Sequence, residues 1–174
     1  MKKLIFLLPI ALLAYACNTP VKESAPPESS SVTLPYTATY SSQWNQDISD
    51  QDLLTVLNSY KAWETGDMQM LRATFGDSLS FVGWDGTVYS GPTEGLTDKW
   101  AAARDTISTI KIEIGAWTKN HSVDKKADFI VVWYKEIDTY KSGRIDSADW
   151  HDINLMSKGK ISWYSQYRRP FKAK

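Results

Sequence analysis

The stretch "TIKIEIGAW" (109–117) constrains the fold more than any other, because Ile110, Ile112 and Ile114 alternate with Lys111 and Glu113. Successive side chains of a strand point to opposite faces, so this segment has one buried and one wet face, as in an antiparallel sheet covered on one side. The segments "DFIVVWYKEI" (128–137), "SADWHDINLM" (147–156) and "KISWYSQYRR" (160–169) follow. They are rich in β-branched and aromatic residues, and loops containing Lys, Ser, Asn and Gly join them.

Upstream the period is helical. Ser49 with Asp52 three residues later reads as a capped start, and Leu53, Leu57, Tyr60 and Glu64 then lie on one stripe until Gly66 stops the helix. Asp67 is placed to cap a second helix, "MQMLRATF" (68–75), which Gly76 is expected to end. A short strand, "LSFV" (79–82), and an Asp-Gly turn in "WDGTVYSG" (84–91) come next, and Pro92-Thr93 opens a third helix carrying Leu96, Trp100 and Ala103. Three helices followed by a long meander predict an α+β domain, with the helices packed on one face of a curved antiparallel sheet.

The ends set the expected location. "MKKLIFLLPIALLAYAC" has two lysines before an apolar run too short to span a bilayer, which is the pattern of an export signal. Its close, Ala14-Tyr15-Ala16-Cys17, resembles a bacterial lipobox, with Ala14 where leucine is usual. The expectation is a signal peptide over 1–16 and lipidation at Cys17, the chain's single cysteine, which rules out an intramolecular disulfide. Residues 17–42 are rich in Pro, Ser and Thr without apolar periodicity and read as a flexible tether, leaving 43–174 as one domain. That places the protein in the bacterial cell envelope, touching the membrane through its lipid alone. Net charge is zero with acids and bases interspersed, so no basic face for nucleic acid is indicated.

The span "YKAWETGDMQMLRATFGDSLSFVGWDGTVYSGPTEGLTDKW", taken with "GKISWYSQY", is similar to the SnoaL-like family of the nuclear-transport-factor-like, or cystatin-like cone, superfamily. The resemblance rests on Trp63, Gly66-Asp67, Asp77, Gly86, Gly91 and Gly159-Lys160-Ile161, in this order of helices and strands. It implies a conical sheet around a pocket, with a dimer formed through the sheet. It does not imply one activity, since this fold hosts enzymes, binding modules and interaction domains alike. The resemblance also implies that Tyr164 and Gln166 look into the cavity. Gln166 stands where an epoxide-hydrolase-like member would place a carboxylate, and an amide cannot act as a base.

"WHDIN" (150–154) raises the question of chemistry. His151 and Asp152 are neighbours on a strand and point to opposite faces, so only one of them enters the pocket. A two-residue turn at Lys158-Gly159 pairs Ser157 with Lys160, Leu155 with Ser162, Ile153 with Tyr164, His151 with Gln166 and Asp149 with Arg168. That register places His151 inward, whereas a bulge would bring Asp152 beside Gln166 instead. The candidate catalytic residues are therefore His151, Asp152 and Asp77, the last as an orienter across the cavity. The candidate ligand-binding residues are Tyr134, Tyr164, Gln166, Trp63 and Trp84. No phosphate-cradling glycine loop or zinc signature is present, so neither a cofactor nor a metal is expected. The expected function is binding of a small, largely apolar molecule. The alternatives are an isomerase, dehydratase or hydrolase using His151 or Asp152 as general base, and an interaction module of the envelope.

Overall fold

The computed structural model describes residues 33–171, so the signal peptide, Cys17 and most of the tether lie outside the described residues. The elements run β1 (Trp44–Asn45), α1 (Asp50–Thr65), α2 (Met68–Thr74), β2 (Phe75–Val82), β3 (Val88–Pro92), α3 (Thr93–Arg104), β4 (Ile107–Ser122), β5 (Ala127–Tyr140), β6 (Ile145–Ser157) and β7 (Lys160–Pro170). One curved, unclosed sheet in the order β1-β4-β5-β6-β7-β2-β3 carries the helices on its inner face. The fold is α+β, as the alternation and the capped helices predict.

The helix ends follow local chemistry. Ser49 accepts from the Asp52 amide at 3.0 Å, and Asp67 from the Met70 amide at 2.8 Å. Gly66 closes α1 in the left-handed region at φ 77°, its amide directed to the carbonyls of Ala62 and Trp63. Beside it, Arg104 of α3 donates from Nε to the Trp63 carbonyl (3.0 Å), from Nη2 to that of Glu64 (3.1 Å) and from Nη1 to that of Ile107 (2.9 Å). One guanidinium thus satisfies the open end of α1 and ties it to α3 and β4. A Cβ on Gly66 would meet the Arg104 guanidinium at 3.4 Å. Gly66→Ala is therefore expected to lower the unfolding free energy in urea by about 1–2 kcal/mol, from left-handed strain and the crowded arginine together.

Two expectations are corrected. Gly76 does not end α2: the helix stops at Thr74, and Phe75 and Gly76 already belong to β2. The sheet is also mixed, because β2 runs parallel to β7 while the other pairs are antiparallel. β2 and β7 are far apart in the chain, so no hairpin dictates their relative direction.

The decisive departure lies in the last hairpin. Lys158 (φ 51°) and Gly159 (φ 74°) form the expected two-residue turn, and Ser157 pairs with Lys160. The register then shifts between Met156↔Ile161 and Leu155↔Trp163, leaving Ser162 as an extra residue whose hydroxyl donates to the Leu155 carbonyl at 3.1 Å. From there Asp152 pairs with Gln166 and His151 with Tyr167. Asp152 is inward and His151 outward, the reverse of the register counted from an unbroken ladder. At the other edge, the Tyr40 and Trp44 rings pack on Phe129, so contacts with the sheet begin slightly upstream of residue 43.

Candidate functional site: an aromatic cavity over a buried carboxylate

A cavity of about 540 Å³ opens between the helices and the inner face of the sheet. α1 contributes Tyr60 and Trp63, α3 contributes Leu96, Trp100 and Ala103, and β2 contributes Phe75 and Phe81. The period of two brings Tyr134, Glu136 and Asp138 from β5, and Tyr164, Gln166 and Arg168 from β7, to the same wall. Trp100 meets the rings of Phe75, Phe81 and Tyr164 at centroid distances of 5.5, 5.3 and 6.2 Å, which gives the deep part an aromatic lining. All five residues expected on the pocket wall, Tyr134, Tyr164, Gln166, Trp63 and Trp84, line this cavity.

The expected catalytic group does not assemble around it. His151 lies on the outer face of the sheet, its ring stacked on Trp133 (5.0 Å, 17°) and against Tyr167 (5.5 Å). The bulge at Ser162 carried it there, because a one-residue slip moves every side chain to the opposite face. Asp77 is exposed on β2, away from the cavity. Asp152 is on the inner side but fully buried, beneath the residues that form the wall.

Around Asp152 three phenols converge on one oxygen. Tyr60, Tyr134 and Tyr164 donate to Oδ2 at 3.1, 2.9 and 2.7 Å, while Oδ1 is buried without a partner. Gln166 Nε2 donates to the Tyr164 hydroxyl at 2.7 Å, and Asn154 Nδ2 donates to the Ile130 carbonyl at 3.1 Å while lying 3.5 Å from the Tyr60 hydroxyl. Burial pushes the Asp152 carboxyl up to about 7, against the opposing pull of the three phenols. The phenols in turn are held well above the usual tyrosine range, by burial first and then by the Asp152 charge. The arrangement fixes three hydroxyls with their protons toward Asp152.

A second acid was missed at the sequence level. Glu136 continues the inward series Ile130, Val132 and Tyr134, is 7 % exposed and lines the cavity. Its signal lay in "DFIVVWYKEI": the alternation that buries Ile130 and Val132 also carries Glu136 and Asp138 inward. Burial, then the neighbouring Asp138, raise Glu136 to about 8, with Trp63 beside it favouring the ionised form. Asp138 is likewise raised, by burial and by Asp146. At the mouth, Arg168 donates to Asp146 at 2.7 Å and sits 5.0 Å and 5.5 Å from the Trp84 and Trp150 ring centroids. Among the described residues no three His, Cys, Asp or Glu side chains are placed to hold a metal ion, and no helix is long and apolar enough to cross a membrane.

Comparison with known proteins places this geometry. No family model and no curated protein matches the chain. Solved structures do. An LEH-like epoxide hydrolase from M. tuberculosis superposes with a TM-score of 0.57 at 12% identity, over 69% of this chain and 84% of that one. A protein of the NTF2-like family from Streptomyces avermitilis gives 0.58 at 15% identity over 69% and 95%, and an uncharacterized cystatin-fold protein from Novosphingobium aromaticivorans gives 0.56 at 17% over 67% and 97%. At these identities the likeness is one of fold, and the fold is the pocket-bearing NTF2-like cone.

Proposed function

We propose that this domain binds a small, largely apolar molecule in the cone, and that it does so in the cell envelope, held there through Cys17 at the end of a flexible tether. The observation that carries the binding reading is the cavity itself: about 540 Å³ lined by the rings of Tyr60, Trp63, Phe75, Phe81, Trp100 and Tyr164, with polar side chains set among them. Such a wall gives affinity through apolar burial, while the polar groups orient the guest. The envelope reading is supported by the lysine-led apolar leader and the lipobox-like Ala14-Tyr15-Ala16-Cys17.

Titration with N-phenyl-1-naphthylamine, an uncharged flat probe, tests the binding reading. We expect saturable one-site binding. Ala103 lines the cavity from the exposed side of α3, so Ala103→Trp adds bulk there without disturbing the core. It is expected to weaken the probe at least about tenfold by occupying its space. Absence of saturation, or indifference to Ala103→Trp, would sink the reading.

A second reading, an enzyme that moves a proton, is favoured by one observation. Glu136, raised to about 8, largely keeps its proton at neutral pH on the cavity wall, where a general acid is needed. In that reading Glu136 takes the part that sequence reasoning assigned to His151 or Asp152.

A further inference from the structure

The charged groups around the cavity are unevenly matched. Asp85, Glu136, Asp138 and Asp146 line it, against Lys99 and Arg168. Both cations are engaged elsewhere: Arg168 with Asp146 and the Trp84 and Trp150 rings, and Lys99 over the Tyr89 ring at 5.8 Å. That leaves Glu136 and Asp138, two residues apart on β5, on the same wall. Among the described residues neither forms an ion pair with a lysine or arginine. Glu136 is more than nine-tenths buried and reaches the cavity, and Asp138 Oδ1 is buried with no hydrogen-bond partner. Burying acids without a counter-charge is costly, and native structures normally satisfy such groups.

We propose that the ligand of this cavity is an organic cation, an apolar body whose ammonium group seats beside Trp63 against Glu136 and Asp138. This rests on the reading of the cavity as a site for a small, largely apolar molecule, and it names that molecule's charge. Aromatic faces attract a weakly hydrated ammonium, and the ammonium supplies the positive charge that no lysine or arginine ion pair gives the two carboxyls. An anionic guest would face those same acids. A compact inorganic cation would find mostly rings where it needs oxygen ligands.

The reading requires binding to release protons. Glu136 faces Asp138 on its own strand, Asp152 on β6, and the phenols of Tyr60 on α1, Tyr134 on β5 and Tyr164 on β7, while Asp146 of β6 acts on Asp138. Arg104 of α3 and Arg168 of β7 act on the neighbouring Asp138 in the opposite sense. Burial first, and then the neighbouring Asp138, keep Glu136 protonated when the cavity lacks a cation, and a bound ammonium favours its ionised form.

The test uses the permanent cation phenyltrimethylammonium and its uncharged isostere tert-butylbenzene, titrated calorimetrically into the full chain. The cation cannot itself titrate, so any pH response belongs to the protein. We expect it to bind at least about tenfold more tightly at about pH 9 than at about pH 6, with Glu136→Gln and Asp138→Asn each weakening it and Glu136→Gln flattening the pH response. A cooperative urea transition establishes that each variant is folded. The isostere binding as tightly as the cation at the higher pH, or a pH response that survives Glu136→Gln, overturns the cation proposal while the apolar pocket stands. Binding of neither probe overturns both.

Discussion

Replacing Asp152 by alanine is expected to lower the unfolding free energy, measured in urea, by about 3–5 kcal/mol, the range for removing one partner from a buried charged network. The reason is the convergence on one atom. Tyr60, Tyr134 and Tyr164 come from α1, β5 and β7, and all three donate to Asp152 Oδ2. Without that acceptor three hydroxyls are stranded, and each stranded buried donor costs about 1–3 kcal/mol before relaxation. Asp152→Asn separates acceptor loss from charge loss: its carbonyl still accepts from the phenols, and we expect it to cost less than half as much. If alanine proved as well tolerated as asparagine, the phenols would have found other partners and the network would not be holding the three elements together.

Stability is expected to fall as the pH rises from about 4 to about 8, contrary to the usual carboxylate behaviour. Burial holds Asp152 at about 7 and Glu136 at about 8, above the ordinary values of 3.8 and 4.5. Between the unfolded and folded values the native state binds more protons than the unfolded chain, so the slope of stability against pH is negative there. The contribution is fully present below about 4 and is lost once the pH has passed through the folded values. Each group titrating alone would contribute roughly 4–5 kcal/mol, and interaction between them makes the total smaller than the sum. Glu64 opposes this trend only in more acid solution, because its carboxyl is held below its usual range by Lys61 and the Ile112 amide. Urea midpoints at about pH 4.5 and about pH 8.5 test the sign, and Asp152→Asn combined with Glu136→Gln should flatten the difference. A midpoint that rose across this window in the native sequence would show that these acids are not buried in neutral form.

The wall of the cavity was legible because it depends on pattern. Alternation in β5 and β7 points Tyr134, Tyr164 and Gln166 inward, and α1 brings Trp63 to the same side; for Tyr164 and Gln166 the expectation came from the family resemblance. The helix starts at Ser49 and Asp67 were equally plain, since a cap is a contact between residues three apart. Glu136 shares the alternation of Tyr134 along β5, which carries it inward although acids usually lie at the surface.

The sequence by itself determined the α+β class, the capped helices, the turn at Lys158-Gly159 and the set of aromatic residues available to a pocket, because each depends on local chemistry or on a period of two or 3.6. What only the tertiary structure decided is which acid lies under the wall. One extra residue at Ser162 shifts β7 against β6, sends His151 to the outer face between Trp133 and Tyr167, and brings Asp152 beneath three phenols. A bulge is set by how two strands twist and pack against the rest of the sheet, and a ladder counted from its turn has no knowledge of that packing. The direction of β2 against β7 was decided the same way, by packing between segments that no short loop connects.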